Sequence, residues 1–239
     1  MDREAEIKKY TLLVAVMASF LKPFLGSAIN LAIPSIGERF NSSAILLSWV
    51  VTGYLLSSAA FLVPFGRLAD IVGRKKIFLA GILIFSLSSL LCGLAWPAES
   101  LILFRIIQGV GSSMIFGTGM AMLTSVFPPQ ERGRVLGINV ATVYVGLSLG
   151  PVLGGFLNHN LGWQSIFFLM FLAGLVVVVF TAFKLKGEWA GARGEKFDLA
   201  GAVLYTVGLV TFMYGMSSVA SHTWEIYVLA AGVLILGLF

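Results

Sequence analysis

Residues 165–183 read SIFFLMFLAGLVVVVFTAF, a run in which almost no side chain is polar after the first serine. About 20 apolar residues in a helix cross the hydrocarbon core of a bilayer, so this run predicts a transmembrane helix. The composition of the 239-residue chain agrees, because 58% of its residues are hydrophobic, only 11% are charged, and the mean hydropathy is +0.96. Soluble domains carry roughly 25% charged residues. The sequence therefore predicts an all-α, polytopic membrane protein and excludes a soluble globule.

Similar apolar stretches lie on both sides of this run, so the chain is predicted to cross the membrane about eight times. We number the predicted spans 1 to 8 in chain order: from the end of the polar N-terminus to about residue 36, then 46–65, 77–96, 101–126, 135–157, 165–183, 199–219 and 224–239. Span 8 is shorter than the ~20 residues that a crossing needs. We therefore expect the chain to stop inside a helix.

The basic residues predict the orientation of these spans. Thirteen of the sixteen Lys and Arg residues fall at the N-terminus or in loops on the same side of the membrane, whereas the opposite loops hold only Arg39. Cytoplasmic loops carry such an excess of positive charge, so the N-terminus is expected in the cytoplasm and the protein in the cell membrane. The basic clusters lack interleaved aromatic residues, and we expect no nucleic-acid partner.

Residues that could hold a metal or carry out covalent chemistry are scarce. One cysteine, Cys92, and two isolated histidines offer no set of ligands at metal spacing, so no metal site is expected. No nucleophile, base and orienting group recur at usable spacing within the spans, which argues against an enzyme. We expect no cofactor other than an ion gradient.

A few polar side chains interrupt the predicted spans and are candidates for the lining of a cavity. They are Lys22, Asn30, Arg105, Gln108, Ser112 and Asn139. Such groups either hydrogen-bond one helix to another or face a wet cavity, and for Asn30 and Ser112 the sequence does not decide between these roles. For Lys22 and Arg105 a cavity is favoured, since no Asp or Glu lies inside a span to neutralise them. Spans 3 and 6 lack such groups and are expected to face lipid.

The segment after span 2, GRLADIVGRKK at residues 66–76, resembles the signature loop of the major facilitator superfamily, written G-x-L-a-D-r-x-G-r-[rk]. We call these residues the signature loop. The one departure is Ile71, where a basic residue is common. In the family this loop is implied to latch the outward-facing state, with the aspartate as its central contact. The resemblance assigns that gating role to Gly66, Asp70, Gly73, Arg74 and Lys75, joined by Arg132 and Glu131 from the neighbouring loop.

Two later spans strengthen the resemblance. Arg105, Gln108 and Gly109 in span 4 are similar to the family's R-x-x-q-G element, whose arginine is often implicated in proton coupling. Span 5 fits the antiporter signature G-x8-G-x3-G-P-x2-G-G of proton-driven exporters. The matching residues are Gly137, Gly146, Gly150, Pro151, Gly154 and Gly155. Small residues at this spacing also serve close helix packing, and the two interpretations are compatible.

Span 1 and the end of the chain resemble fourteen-helix drug:proton antiporters. Residues 30–34, NLAIP, resemble the ending of a motif of that group, but the membrane aspartate expected five residues before Asn30 is replaced by Leu25. The resemblance implies a six-helix N-terminal bundle at residues 1–183 and a cytoplasmic loop at 184–198. Residues 199–239 would then form an additional central helix pair whose second helix is truncated.

These observations predict the N-terminal portion of a secondary active transporter of the multidrug efflux type. Its expected partners are the lipid bilayer, a small-molecule substrate and the missing C-terminal helices of the same transporter. Two unpaired cations favour an amphipathic or anionic substrate, and Lys22 could itself exchange a proton, because an ammonium is costly in an apolar environment. An importer or uniporter of the same fold, and a non-transporting sensor or partner subunit, remain as alternatives.

Overall fold

The computed structural model describes residues 2–218 and 224–239, and every regular element in these ranges is a helix. In chain order the helices are α1 (Asp2–Phe40), α2 (Ala44–Ala60), α3 (Leu62–Val72), α4 (Arg74–Gly93), α5 (Ala98–Val126), α6 (Pro129–Leu161), α7 (Gln164–Phe183), α8 (Leu199–Ser218) and α9 (Glu225–Leu238). The predicted all-α class is confirmed. The predicted end of span 7, Val219, lies outside the described residues.

Hydropathy and length agree with the predicted order of spans. In the described ranges, six helices are long and apolar enough to cross a membrane, and α2 with α3 makes a seventh span if the bent pair is counted as one. The remaining helix, α9, has 14 residues. The first helix is longer than predicted, with 39 residues, because its polar first turns are helical as well.

Span 2 is broken where the sequence analysis expected a continuous helix. The chain bends by 43° between α2 and α3, at Phe61. Pro64 explains the break, because proline has no N–H to donate to the carbonyl of Ala60 four residues earlier. The Thr206 hydroxyl of α8 donates to that carbonyl at 3.3 Å, so a neighbouring helix satisfies the acceptor that proline leaves free.

The most extensive packing of α1 is on α6, and small residues make the close approach possible. A Cβ added at Gly150 would lie 2.7 Å from the Ser27 Cβ and 2.8 Å from the Phe24 carbonyl oxygen, and one at Gly154 would lie 2.5 Å from the Ala28 Cβ. The two backbones can therefore touch only because these positions lack side chains.

Span 3 does not face lipid all round, contrary to the expectation from its composition. Its helix α4 lies between α5 and α7, with Ser86, Ser89 and Cys92 fully buried in the contact. Only its other face, with Leu87 and Leu91, is exposed. The serine side chains are small enough for the narrow contact with α5 and α7. Their hydroxyls donate to carbonyls of their own helix, so burying these polar groups costs little free energy.

The last two described helices pack on each other and meet the rest of the protein through α2 and α3. The rings of Trp49 on α2 and Tyr214 on α8 stack with their centroids 6.2 Å apart. Together with the Thr206 contact, this stacking fixes α8 beside the bend in span 2.

Candidate functional site

A cavity of about 340 Å³ lies at the centre of the helices, between α1, α2, α4, α5 and α6. Most of its wall is apolar. Its polar lining residues and glycines are Ser19, Lys22, Gly26, Tyr54, Ser112 and Gly119. Large apolar side chains such as Phe85, Phe116 and Met120 complete the wall. A volume of this size is in the range of small-molecule sites, which combine an apolar wall with a few polar groups.

Lys22 is the one cation among the residues that line this cavity. Its Nζ donates to the Ser58 hydroxyl at 3.0 Å and lies 5.0 Å from the centre of the Phe116 ring. Within the described ranges, no carboxylate lies within 4 Å of this ammonium. A hydroxyl and a ring stabilise the charge weakly compared with a carboxylate, so the ammonium keeps capacity to bind an anion.

Arg105 is buried behind the cavity wall instead of lining it. Its side chain is 1% exposed, and its guanidinium lies 4.1 Å from the centre of the Tyr54 ring. The Nε donates to the Val50 carbonyl at 2.9 Å and an Nη donates to the Gln108 amide oxygen at 2.6 Å. Tyr54 thus separates the guanidinium from the cavity, and the arginine connects α2 with α5.

Gln108 and Tyr54 extend this buried network. The Gln108 amide donates to the Ser89 hydroxyl at 2.6 Å, and the Tyr54 hydroxyl donates to the Ser112 hydroxyl at 2.9 Å. Ser112 lines the cavity, so a chain of hydrogen bonds and ring contacts runs from the cavity wall to Arg105 and on to α4. Buried hydrogen-bond networks of this kind help to hold helices in one arrangement.

The structure divides the predicted cavity residues into four groups. Lys22 and Ser112 line the cavity, whereas Arg105 and Gln108 lie behind Tyr54. Asn139 is buried on α6 and accepts a hydrogen bond of 2.8 Å from Ser19, which does line the cavity. Asn30 is exposed and lies outside the cavity lining.

The signature loop forms a compact ion pair at the end of α3 and the start of α4. The Asp70 carboxylate accepts a hydrogen bond from the Arg74 Nε at 2.8 Å, and the same carboxylate oxygen lies 2.7 Å from an Arg74 Nη. Arg74 also donates to the Ala121 carbonyl at 3.0 Å and to the Ser125 hydroxyl, both on the last turns of α5. The loop therefore joins α3, α4 and α5 at one side of the membrane.

The other predicted gating residues are placed around this pair. Gly73 has φ +128°, a conformation that favours glycine, and the Lys75 ammonium donates to the Leu185 carbonyl at 2.5 Å. Gly66 packs beside Gly117 of α5.

Glu131 and Arg132, at the junction of α5 and α6, form contacts of their own, apart from Asp70 and Arg74. The Arg132 Nε donates to the Phe127 carbonyl at the end of α5, at 3.0 Å. Glu131 pairs with Lys8 of α1 at 3.1 Å. The structure thus shows two separate polar groups on this side, one around Asp70 and one around Glu131.

The glycines of span 5 fall into two sets. Gly146, Gly150 and Gly154 are buried against α1, with Gly146 facing the Phe20 carbonyl. An added Cβ at Gly137 would have no described atom within 4 Å beyond its own stretch of helix, and one at Gly155 would contact only the side chain of Leu31. Pro151 is inside α6 and exposed. The pattern therefore contains more small residues than the contact with α1 requires.

Several residues of the site were not singled out as site residues from the sequence. Tyr54, Ser58, Phe116 and Ser89 are each common residue types in membrane helices. Tyr54 and Ser58 are four residues apart on α2, and this one-turn spacing is the signal that could have placed both on the face towards Lys22. No comparable signal marks Phe116 or Ser89. Within the described residues no group of three His, Cys, Asp or Glu side chains could hold a metal ion.

A family model described as the Major Facilitator Superfamily matches residues 15–239. The chain belongs to this superfamily. The match confirms the resemblance to this superfamily that was inferred from the signature loop.

Curated relatives within the superfamily include transporters and exporters. The chain is 33% identical over 198 residues to the riboflavin transporter RibZ of Clostridioides difficile, a match that covers 83% of this chain and 43% of that protein. It is 38% identical over 215 residues to the cephamycin export protein CmcT of Amycolatopsis lactamdurans, a match that covers 89% of this chain and 44% of that protein. It is 30% identical over 241 residues to the multidrug transporter protein MdtP of Bacillus subtilis, a match that covers 98% of this chain and 44% of that protein. The chain thus spans less than half the length of these relatives.

Solved structures of superfamily members share the fold. The crystal structure of a bacterial homolog to the human lysosomal transporter Spinster, in an inward-facing and unoccupied conformation, aligns with a TM-score of 0.68 at 18% identity. The alignment covers 96% of this chain and 60% of that one. At this identity the likeness shows the fold alone.

Proposed function

We propose that this chain forms the N-terminal bundle of a secondary active transporter that exports a small anionic or amphipathic compound. The family and the names of relatives, which include a cephamycin export protein and multidrug transporters, support transport in the outward direction. The residues of the cavity support the substrate class. The chain spans less than half of those relatives, and in this proposal a second bundle completes the active transporter and closes the cavity.

The observation that carries this proposal is the position of Lys22 in the cavity wall. Its ammonium is held by one serine hydroxyl and one aromatic ring, and Arg105 behind Tyr54 adds a second positive charge close by. The Lys22 ammonium lies among apolar side chains, where a charge is expensive without a partner. A bound carboxylate, sulfonate or phosphate group would supply that partner, while the phenylalanines and methionines would accommodate the apolar part of the compound.

The proposed organisation follows the family pattern. Residues 1–183 form the six-helix bundle, residues 184–198 a cytoplasmic loop, and residues 199–239 belong to the extra helix pair of a fourteen-helix transporter. The thirteen basic residues on one side support a cytoplasmic N-terminus in the cell membrane. Rocking of the two bundles about the cavity would expose it to each side in turn. The signature loop would then gate the cytoplasmic side, and the remaining glycines of α6 would allow the second bundle to approach closely.

Flux through the full-length transporter in proteoliposomes tests transport directly. We expect uptake of anionic and amphipathic compounds into inside-out vesicles when a proton gradient is applied, and loss of this uptake when the gradient is collapsed. Uptake only down the compound's own gradient would instead support a uniporter, and no uptake in any orientation would support a non-transporting role.

Lys22 is the proposed coupling residue, since it is a titratable group in the cavity. Lys22→Gln is expected to flatten the dependence of transport on pH, whereas Lys196→Gln, at an exposed lysine of the 184–198 segment, should leave the pH profile unchanged. An unaltered profile in Lys22→Gln would place proton coupling in another residue.

A further inference from the structure

The segment between α7 and α8, residues 184–198, is bound along the signature loop. We call this segment the strap. Its backbone pairs with the loop at two points, since the Arg74 N–H donates to the Trp189 carbonyl at 2.7 Å and the Ala192 N–H donates to the Asp70 carbonyl at 2.9 Å. These two contacts hold both residues of the Asp70–Arg74 ion pair. The strap therefore contacts the very residues that the proposed gate uses.

Glu188 makes the most specific contact between the strap and the loop. Its carboxylate accepts the backbone N–H of Lys75 at 2.8 Å, across 113 positions of sequence. A Cβ added at Gly73 would lie 2.5 Å from both the carboxyl carbon and the Oε1 of Glu188. The glycine thus leaves the space that the carboxylate occupies, in addition to adopting its positive φ.

The start of α4 needs a carboxylate that its own sequence does not provide. The helix begins with Arg74, Lys75 and Lys76, contains no acidic residue in its first turn, and has no side-chain hydrogen bond from its N-cap, Gly73. Three positive charges at the positive end of a helix dipole repel that end. The first N–H groups of a helix also lack partners within the helix. Asp70 neutralises Arg74, and Glu188 provides the missing acceptor and negative charge for the rest of the turn.

We propose that Glu188 is a positioning residue of the cytoplasmic gate, which fixes the first turn of α4 and thereby the orientation of the Asp70–Arg74 pair. The strap moves with the signature loop as one unit, anchored by the buried Leu185 and by Ala192. The inference rests on the proposed transport function, because a gate has a role only in a transport cycle. Glu188 itself touches neither the cavity nor a substrate.

Hydrogen exchange and transport kinetics of the full-length transporter in nanodiscs or proteoliposomes test this role together. The variants are Glu188→Ala, Glu188→Gln and a control, Glu195→Gln, at a strap carboxylate that pairs with exposed Arg67. In Glu188→Ala we expect the backbone amides of the first turn of α4 to exchange about fivefold faster, the effect of losing a typical N-terminal cap. We also expect a several-fold lower turnover with an unchanged KM, since the cavity is untouched.

The two other variants separate positioning from general stability. Glu188→Gln keeps an oxygen that can accept from Lys75 but lacks the negative charge, so its protection and turnover should lie between those of Glu188→Ala and the wild type. Glu195→Gln should match the wild type, because exposed ion pairs contribute little. Unchanged exchange in Glu188→Ala, or changed exchange with normal turnover, would overturn the proposal. If the unsubstituted protein does not transport, the proposed function fails, and the exchange measurement still decides whether Glu188 holds α4.

Discussion

At the scale of single residues, the two cations inside the membrane differ in their surroundings and therefore in their expected roles. Lys22 faces a cavity and is held by a hydroxyl and a ring, which leaves it able to bind a ligand. Arg105 is enclosed by Tyr54, Val50 and Gln108, and its hydrogen bonds go to acceptors on two helices. The lysine is therefore suited to bind a substrate, and the arginine to hold α2 and α5 in register.

Arg105→Lys tests this structural role. A lysine has a single terminal nitrogen, so it cannot reproduce two divergent hydrogen bonds together with stacking on Tyr54. One buried acceptor would lose its donor, and we expect the free energy of unfolding to fall by about 1–3 kcal/mol. Thermal unfolding of the purified protein in detergent measures the change.

The control for this substitution is Arg134→Lys at an exposed position on α6. It should leave the unfolding midpoint unchanged. Equal midpoints for Arg105→Lys and the wild type would show that the arginine does not stabilise the α2–α5 contact.

At the scale of elements, α1 packs closely against α6 at three glycines of the antiporter-like pattern, Gly146, Gly150 and Gly154. Gly150→Ala should destabilise the protein, because its Cβ would meet Ser27 and the Phe24 carbonyl at less than 3 Å and neither can rotate away. Overpacking of this kind costs about 1–3 kcal/mol. The measurement is again the thermal unfolding midpoint in detergent.

Gly137→Ala is the matched control, since it makes the same chemical change on the same helix where an added Cβ meets nothing. Both substitutions raise helix propensity equally, so the difference between their unfolding midpoints reports the contact between α1 and α6 alone. If the two variants unfold at the same temperature, α1 and α6 are not packed as closely as described.

Sequence patterns predicted the order and type of the elements but not the rotation of each helix about its own axis. Apolar length and composition set the spans, so the helices agree with the predicted order. Whether a polar residue lines a cavity or lies behind it depends on a few tens of degrees of helix rotation, and Arg105 falls behind Tyr54 for that reason. The strap contact of Glu188 joins residues 113 positions apart, and no local pattern indicates such a pairing.

At the scale of the whole molecule, the structure combines a largely apolar cavity that holds one weakly paired cation with an ion-paired signature loop, which is the proposed gate. The cavity is bounded by α1, α2, α4, α5 and α6, and the signature loop joins α3, α4 and α5 at one side of the membrane. Helices α4 and α5 are common to both regions, so movement of the gate would be transmitted to the cavity wall. This arrangement fits the proposed transporter, which would alternate access to an anionic or amphipathic compound.

The most direct test of this account is competition for binding between two compounds of equal size and apolar surface, one bearing a carboxylate and the other an ammonium. The full-length transporter is compared with Lys22→Met and with Lys196→Met as the surface control. We predict that the carboxylate competes better in the wild type and in Lys196→Met. In Lys22→Met it should lose about tenfold or more in affinity, the value of one hydrogen bond between charged groups. Stronger competition by the ammonium compound, with Lys22→Met behaving as the wild type, would contradict the account.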